Sequence, residues 1–237
     1  MPSVSYDSLG LNANIVLDLP LTEGVGSLIH DVSMGHRNVT AVSAPVWTLA
    51  ANMMTLVFDG TADYLVLSNA STTDLEFTSG DYSLGCWIDW EDTSTSENVF
   101  GRYELNVGGW ELYFYGEILT LRHSHSLTQV GVGAHPAHHR SGCYSSGWTP
   151  GSGWCLLGVS RTGGGEAQMY RNGIALAMST SGLVDPEATI SELIIGSRYD
   201  KTTDWYKGGM YRPRIWSRAL TSEEWLRLYN KEVGLLP

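Results

Sequence analysis

Apolar and polar residues alternate along this chain from residue 15 onward, the period-two signature of strands with one buried face. Ile15, Leu17 and Leu19 begin the pattern, and Pro20 ends that run or confines it to a sheet edge. Further strands are predicted near residues 54–58, 63–67, 82–90, 97–107, 110–115 and 117–122, separated by clusters of Gly, Asn, Asp and Ser. In residues 110–115, WELYFY, an apolar or aromatic side alternates with a more polar one. Asn172-Gly173 between two alternating runs predicts a hairpin, because both central residues of that turn take φ > 0. The period changes near the end of the chain. Thr221 and Glu224 form a Thr-x-x-Glu capping box, Leu220 and Trp225 occupy the positions of a hydrophobic staple, and Trp225, Leu228 and Tyr229 share one helical face. With no strand–helix–strand rhythm and no repeat of propeller or solenoid length, the expectation is all-β: two packed antiparallel sheets and one short C-terminal helix.

Composition narrows this picture. An apolar fraction of 43% over 237 residues can fill one sandwich core, so residues 1–12 read as an N-terminal arm and 13–237 as a single domain. The formal charge is −11 and lysine occurs only at 201, 207 and 231, which leaves no basic track for phosphates and excludes nucleic acid as a partner. No apolar run reaches the length of a membrane span, so no membrane insertion is expected. The opening MPSVSYDSLG lacks the basic start and apolar core of a signal peptide; either a leader was removed or the protein is made and used without export. Cys86 and Cys155 fall inside predicted strands and read as buried thiols, with a Cys143–Cys155 bridge as the alternative in an oxidising compartment.

Three groups of residues carry candidate chemistry. Asp31, Ser33 and Asn38 are oxygen donors close in sequence, readable as part of a calcium site or as an Asx turn closing a loop. Residues 127–153 form a Gly/Ser-rich stretch longer than a hairpin needs, predicted to be a functional or interface loop. In or just before it lie His123, His125, His135, His138 and His139. His-x-His on a strand puts two imidazoles on one face, so a transition-metal site, a solvated loop and a pH-sensitive contact are all open readings. No Gly-x-Ser-x-Gly elbow and no phosphate loop with its lysine occurs.

The closing run 190–232 resembles the LamG-like jelly-roll family within the concanavalin A-like lectin and glucanase superfamily. Gly208, Arg214, Ile215, Trp216, Arg218, Ala219, Leu220 and Thr221 keep the family's pattern or its chemistry, while Tyr211 stands where the family usually has Asp and Pro213 where it has Val. Residues 153–176, 55–67, 81–90 and the opening from residue 15 to 38 match further family strands in order, so the resemblance covers about residues 13–230. It implies a two-sheet antiparallel jelly-roll sandwich, and some relatives bind calcium. The superfamily also contains glucanases, but the E-x-D-x-x-E pair of its retaining members has no counterpart here; the nearest imitations, 89–92 and Glu104, Glu111 and Glu117, are poorly placed, and no catalytic residue is assigned.

Sugar recognition in this fold generally sets aromatic faces against pyranose C–H surfaces. The candidates on predicted loops are Tyr144, Trp148, Tyr199, Asp200, Asp204 and Trp205, with core or rim packing as the alternative for each; Trp87, Trp154, Trp216 and Trp225 are assigned to the core. Two functions fit. One is a non-catalytic lectin-like adhesion module, secreted and binding glycans or cell-surface polysaccharide. The other is a virion protein, a phage decoration or tail-associated subunit held by protein partners in a particle or homo-oligomer. The expectation that joins them is a surface-displayed, carbohydrate-binding jelly roll on a virion or in the extracellular space.

Overall fold

A computed structural model describes residues 10–91, 96–126, 140–163, 165–180 and 182–236. Its strands, in chain order, are β1 (Ile15–Asp18), β2 (Leu28–Ile29), β3 (Val39–Val42), β4 (Val46–Ala50), β5 (Met53–Asp59), β6 (Tyr64–Leu67), β7 (Tyr82–Trp90), β8 (Ser96–Glu104), β9 (Gly108–Tyr115) and β10 (Ile118–Ser124). They continue with β11 (Arg140–Ser146), β12 (Cys155–Thr162), β13 (Glu166–Arg171), β14 (Ile174–Ala175), β15 (Ser179–Thr180), β16 (Leu193–Ile195) and β17 (Lys207–Trp216), and helix α1 (Ser222–Glu232) follows.

The strands form two antiparallel sheets of a jelly-roll sandwich. Sheet A runs β14-β13-β12-β7-β17-β5-β4, with β1 on the second half of β17; sheet B runs β15-β11-β10-β9-β8-β16-β6-β3-β2. Alternation sends Leu84, Cys86 and Ile88 of β7 and Leu157 and Val159 of β12 inward against Trp110, Leu112 and Phe114 of β9. The strands predicted from 54 to 122 appear with small shifts at their ends. Within 127–153 the described part is not a loop throughout. Residues 140–146 form β11, paired with β10 from Ser124↔Arg140 to Ile118↔Ser146, and its Ser/Gly-rich sequence carries no alternation to announce it. Among the described residues no helix is long and apolar enough to cross a membrane.

Sheet A is buried on its outer face as well, because α1 lies across it. The capping box forms as predicted: Glu224 N donates to Thr221 Oγ1 at 3.2 Å, and Thr221 N donates to a Glu224 carboxylate oxygen at 2.8 Å. Trp225 is fully buried over Gly85 and Gly158, where a Cβ would stand 2.8 Å from its indole. Its Nε1 donates to Ser160 Oγ at 2.8 Å, and its ring stacks on Tyr170.

The end of α1 is fixed by charge. Glu232, fully buried, accepts both Arg214 terminal nitrogens at 2.9 and 2.8 Å and Trp87 Nε1 at 2.8 Å. Arg212 lies 3.5 Å from the same carboxylate and donates to both Asp18 oxygens at 3.0 and 2.9 Å, which ties β1 to the network. Arg212 sits within a bulge in β17 at φ 52°, beside Pro213, which cannot donate to a ladder, and Arg214 closes the bulge. Tyr211 and Pro213, the departures from the family pattern, mark this bulge. Of the arm expected over 1–12, residues 1–9 lie outside the described residues, whereas Leu11 is buried and its carbonyl accepts Trp216 Nε1 at 2.8 Å.

The cysteines do not form the alternative bridge: Cys86, Cys143 and Cys155 are free buried thiols, and burial pushes Cys143 up to about 12. His123, on β10, and His125, just past its end, are both fully buried. His123 Nδ1 donates to the Val184 carbonyl at 2.6 Å, and Nε2 accepts Tyr82 Oη at 2.7 Å, so neither nitrogen is open to a metal. Burial, aided by Arg161 and His125 and opposed by the Val184 carbonyl and Asp185, lowers its pKa to about 3.

Two measurements check this account. Glu232→Ala strands Arg214 in the interior and is expected to cost about 3–5 kcal/mol in urea unfolding; a loss under 1 kcal/mol refutes the network's role. A folded-state pKa near 3 against an ordinary value of 6.5 means that the unfolded chain takes up the proton first. Stability therefore falls as pH drops below about 6.5, by on the order of 1.4 kcal/mol per unit while the folded state resists protonation. Between pH 7 and 5 the wild type should lose more stability than His123→Gln, and parallel slopes overturn the assignment.

Candidate functional site

The outer face of sheet B has no helix over it in the described structure and carries the candidate site. Register places Asn98, Tyr113, Thr120 and Tyr144 in one row across β8, β9, β10 and β11, with Gly101, Glu111, Arg122 and Gly142 in the next. Tyr115, 65% exposed, stands opposite Ser96 at the end of the β8–β9 ladder. Outward side chains of β9 are therefore Glu111, Tyr113 and Tyr115, while Trp110, Leu112 and Phe114 fill the core.

Arg122 organises this face. Its Nε donates to Glu111 Oε1 at 2.5 Å and Nη2 reaches the same oxygen, while the guanidinium carbon lies 5.1 Å from the Tyr103 ring centre and 4.5 Å from that of Tyr113. Glu111 is buried and also accepts Asn98 Nδ2 at 2.9 Å. Burial raises the Glu111 pKa, with Arg122 opposing the rise. Guanidinium between two tyrosine rings, locked by a buried carboxylate, gives the site a rigid floor.

One wall is the segment between β16 and β17. Its ends are joined by Tyr206 N to Gly196 O at 2.9 Å, and Asn98 N donates to Asp204 O at 2.8 Å, docking it on β8. Asp200 holds the turn, accepting Thr202 N at 2.9 Å and Thr203 Oγ1 at 2.8 Å; these bonds lower its pKa against partial burial. The turn presents Arg198, 3.8 Å from Asp204 and 5.3 Å from the Tyr199 ring centre. Partial burial raises the Asp204 pKa, with Arg198 and Arg122 opposing. Ser96, Tyr113, Tyr115, Arg122, Arg198 and Asp204 enclose a depression of about 350 Å³. A larger hollow of about 430 Å³ beside β12, β13 and the start of α1 has less polar chemistry on offer: Ser160 Oγ meets Ser83, Leu220 O and Trp225, and Gln168 Nε2 donates to two carbonyls.

The sequence candidates divide. Asp204 lines the depression, Tyr199 backs its wall against Tyr103, and Tyr144, 42% exposed, lies on the same face beyond Thr120. Asp200 shapes the turn. Trp148 is a correction: only 2% exposed, it packs edge-on against Phe114 at 5.5 Å beneath Arg171, because β11 carries the chain back over the core edge. Trp205 is half-buried against Tyr64 at 5.9 Å and lies outside the depression's lining. Ser96, Tyr113, Tyr115, Arg122 and Arg198 went unrecognised; the outward phase of WELYFY was the one available signal.

At the candidate calcium loop, Asp31 is buried and accepts from Asp18 N and Ser33 N at 2.9 Å and Ser33 Oγ at 2.8 Å, with Arg37 Nε at 3.7 Å. Donors, not fellow oxygens, surround it, and Asn38 is exposed; the geometry is that of an Asx turn. Among the described residues no three His, Cys, Asp or Glu side chains gather as a metal set, and His135, His138 and His139 lie outside those residues.

The sequence model described as the concanavalin A-like lectin/glucanases superfamily matches residues 59–224. Solved structures share the fold. The binding domain of botulinum neurotoxin serotype D superposes with a TM-score of 0.71 at 13% identity, covering 95% of this chain and 52% of that one. The binding domain of Paraclostridial Mosquitocidal Protein 1 gives 0.70 at 14% over 93% and 53%. The binding domain of botulinum neurotoxin DC in complex with SialylT gives 0.66 at 10% over 93% and 52%. The chain spans about half the length of the solved chains it matches. No curated protein matches it in sequence.

Arg122→Ala leaves the Glu111 carboxylate buried without its cation and is expected to cost about 3–5 kcal/mol in urea unfolding. Adding Glu111→Gln to that chain should recover part of the loss, and strictly additive effects would show that the two residues act independently.

Proposed function

Because this chain belongs to the concanavalin A-like lectin/glucanases superfamily, we propose that it is a non-catalytic lectin-like module whose glycan site is the depression on the outer face of sheet B. The observation that carries this reading is the placing of two tyrosine rings, one widely exposed, beside an arginine and a carboxylate on a rigid sheet. Aromatic rings offer a flat surface to pyranose C–H groups, and flanking charged groups hold hydroxyls by hydrogen bonds. The carboxylates support binding over hydrolysis: Glu111 is spent on Arg122 and Asn98, and Asp204 faces Arg198, which leaves no free acid–nucleophile pair in the lining. That the similar solved structures are binding domains points the same way.

The setting belongs to the proposal too. We read the module as displayed on a surface, a virion's or a cell's, with partner subunits from a particle or a homo-oligomer, and with calcium as an optional aid. Light scattering gives the mass in solution; a glycan array run with calcium and with chelator on the same sample gives the ligand and its metal dependence. Tyr115→Ala and Tyr113→Ala should weaken glycan binding by about 1–3 kcal/mol, the worth of a large aromatic contact, while Tyr115→Ala keeps the wild-type melting temperature. Affinity unchanged in both variants overturns the site.

A further inference from the structure

Resting on that reading of the site, we propose that its ligand is a neutral glycan and that sugars bearing sialyl, uronyl or sulfate groups are selected against. Selection of an anion by charge is strongest where a guanidinium or ammonium is not already matched by a carboxylate. Both arginines of the depression are matched in charge. Arg122 directs Nε and Nη2 at the buried Glu111 and is held between the Tyr103 and Tyr113 rings. Arg198 is paired in charge with Asp204 at 3.8 Å, too long for a hydrogen bond, and lies against the Tyr199 ring. Two cations are thus matched by two carboxylates, Asp204 in the lining and Glu111 buried beneath it, so the four groups together carry no net positive charge.

The group with capacity to spare is an acceptor. The Asp204 carboxylate accepts no hydrogen bond from the described residues; Arg198 lies 3.8 Å away, and Arg122 acts on it from farther off. An ionised carboxylate offers about four lone-pair sites and no donor. It therefore suits a pair of sugar hydroxyls, which donate, and repels a carboxylate or sulfate, which cannot. Tyr115 beside it supplies an exposed face for the ring's C–H side, and the Ser96 hydroxyl gives or takes one further bond. The field of the whole chain acts in the same sense, since a formal charge of −11 from 25 acidic and 14 basic residues slows the approach of any anion.

The test uses matched oligosaccharides sharing one core, in neutral, sialylated and sulfated forms, titrated calorimetrically into the protein at low and at physiological salt. The neutral form is expected to bind at least tenfold more tightly than either acidic form, with the gap widening at low salt, where charge repulsion is least screened. Asp204→Asn keeps the side chain's size and suits the left-handed backbone at this position, φ 53°. It should weaken the neutral form and strengthen the acidic ones, narrowing the gap by at least threefold. An acidic form that binds as tightly as the neutral one overturns this inference and leaves the glycan site standing. Failure of every form to bind overturns the glycan reading itself.

Discussion

A single buried carboxylate, Glu232, ties the first strand and the last helix to the middle of one sheet. It receives Arg214 and Trp87, and through Arg212 it is joined to Asp18 on the first strand. Such clusters add little net stability, because desolvating each charge cancels most of the attraction. Their effect is on position. The bulk of the favourable energy comes from apolar burial between the sheets and beneath α1; the charge network decides the turn of helix and the register of strand at which that burial occurs. The bulge in β17 is the backbone's part of this arrangement, since without the left-handed Arg212 the strand would not present both guanidiniums as it does.

The consequence for binding is a division of labour between the outer faces. Sheet A spends its outer face on α1, and sheet B keeps its own for other uses. On sheet B the same device appears on a smaller scale: Glu111 is a buried carboxylate whose partners, Arg122 and Asn98, lie on neighbouring strands. The Glu111 carboxylate and the Tyr103 and Tyr113 rings hold the Arg122 guanidinium, so on the proposed site Arg122 and Tyr113 would meet a ligand already in place, which reduces the ordering cost of association.

What the sequence disclosed follows from how far each signal reaches along the chain. The strands from 54 to 122 and the Thr221–Glu224 cap are local patterns and were legible. Strand β11 was not, because RSGCYSS has no alternation and is a strand only by virtue of its neighbours β10 and β15. That omission misplaced Trp148, an aromatic residue in apparent loop sequence that the added strand tucks against Phe114. The pairing of Glu111 with Arg122 is a matter of register between β9 and β10, and register is invisible until both strands are set side by side. Asp200 shows a subtler limit. It ties its own turn through Thr202 and Thr203, and composition does not tell such a carboxylate from one turned outward.

The seat of Trp225 has an implication for how this protein can change. Gly85 and Gly158, on different strands, form the floor on which one indole lies, and a methyl group at either would collide with it. The three positions therefore make a single steric unit spread over 140 residues of chain. A side chain fits on either strand only in company with a smaller residue on the helix, so these positions tolerate paired substitution and resist single ones.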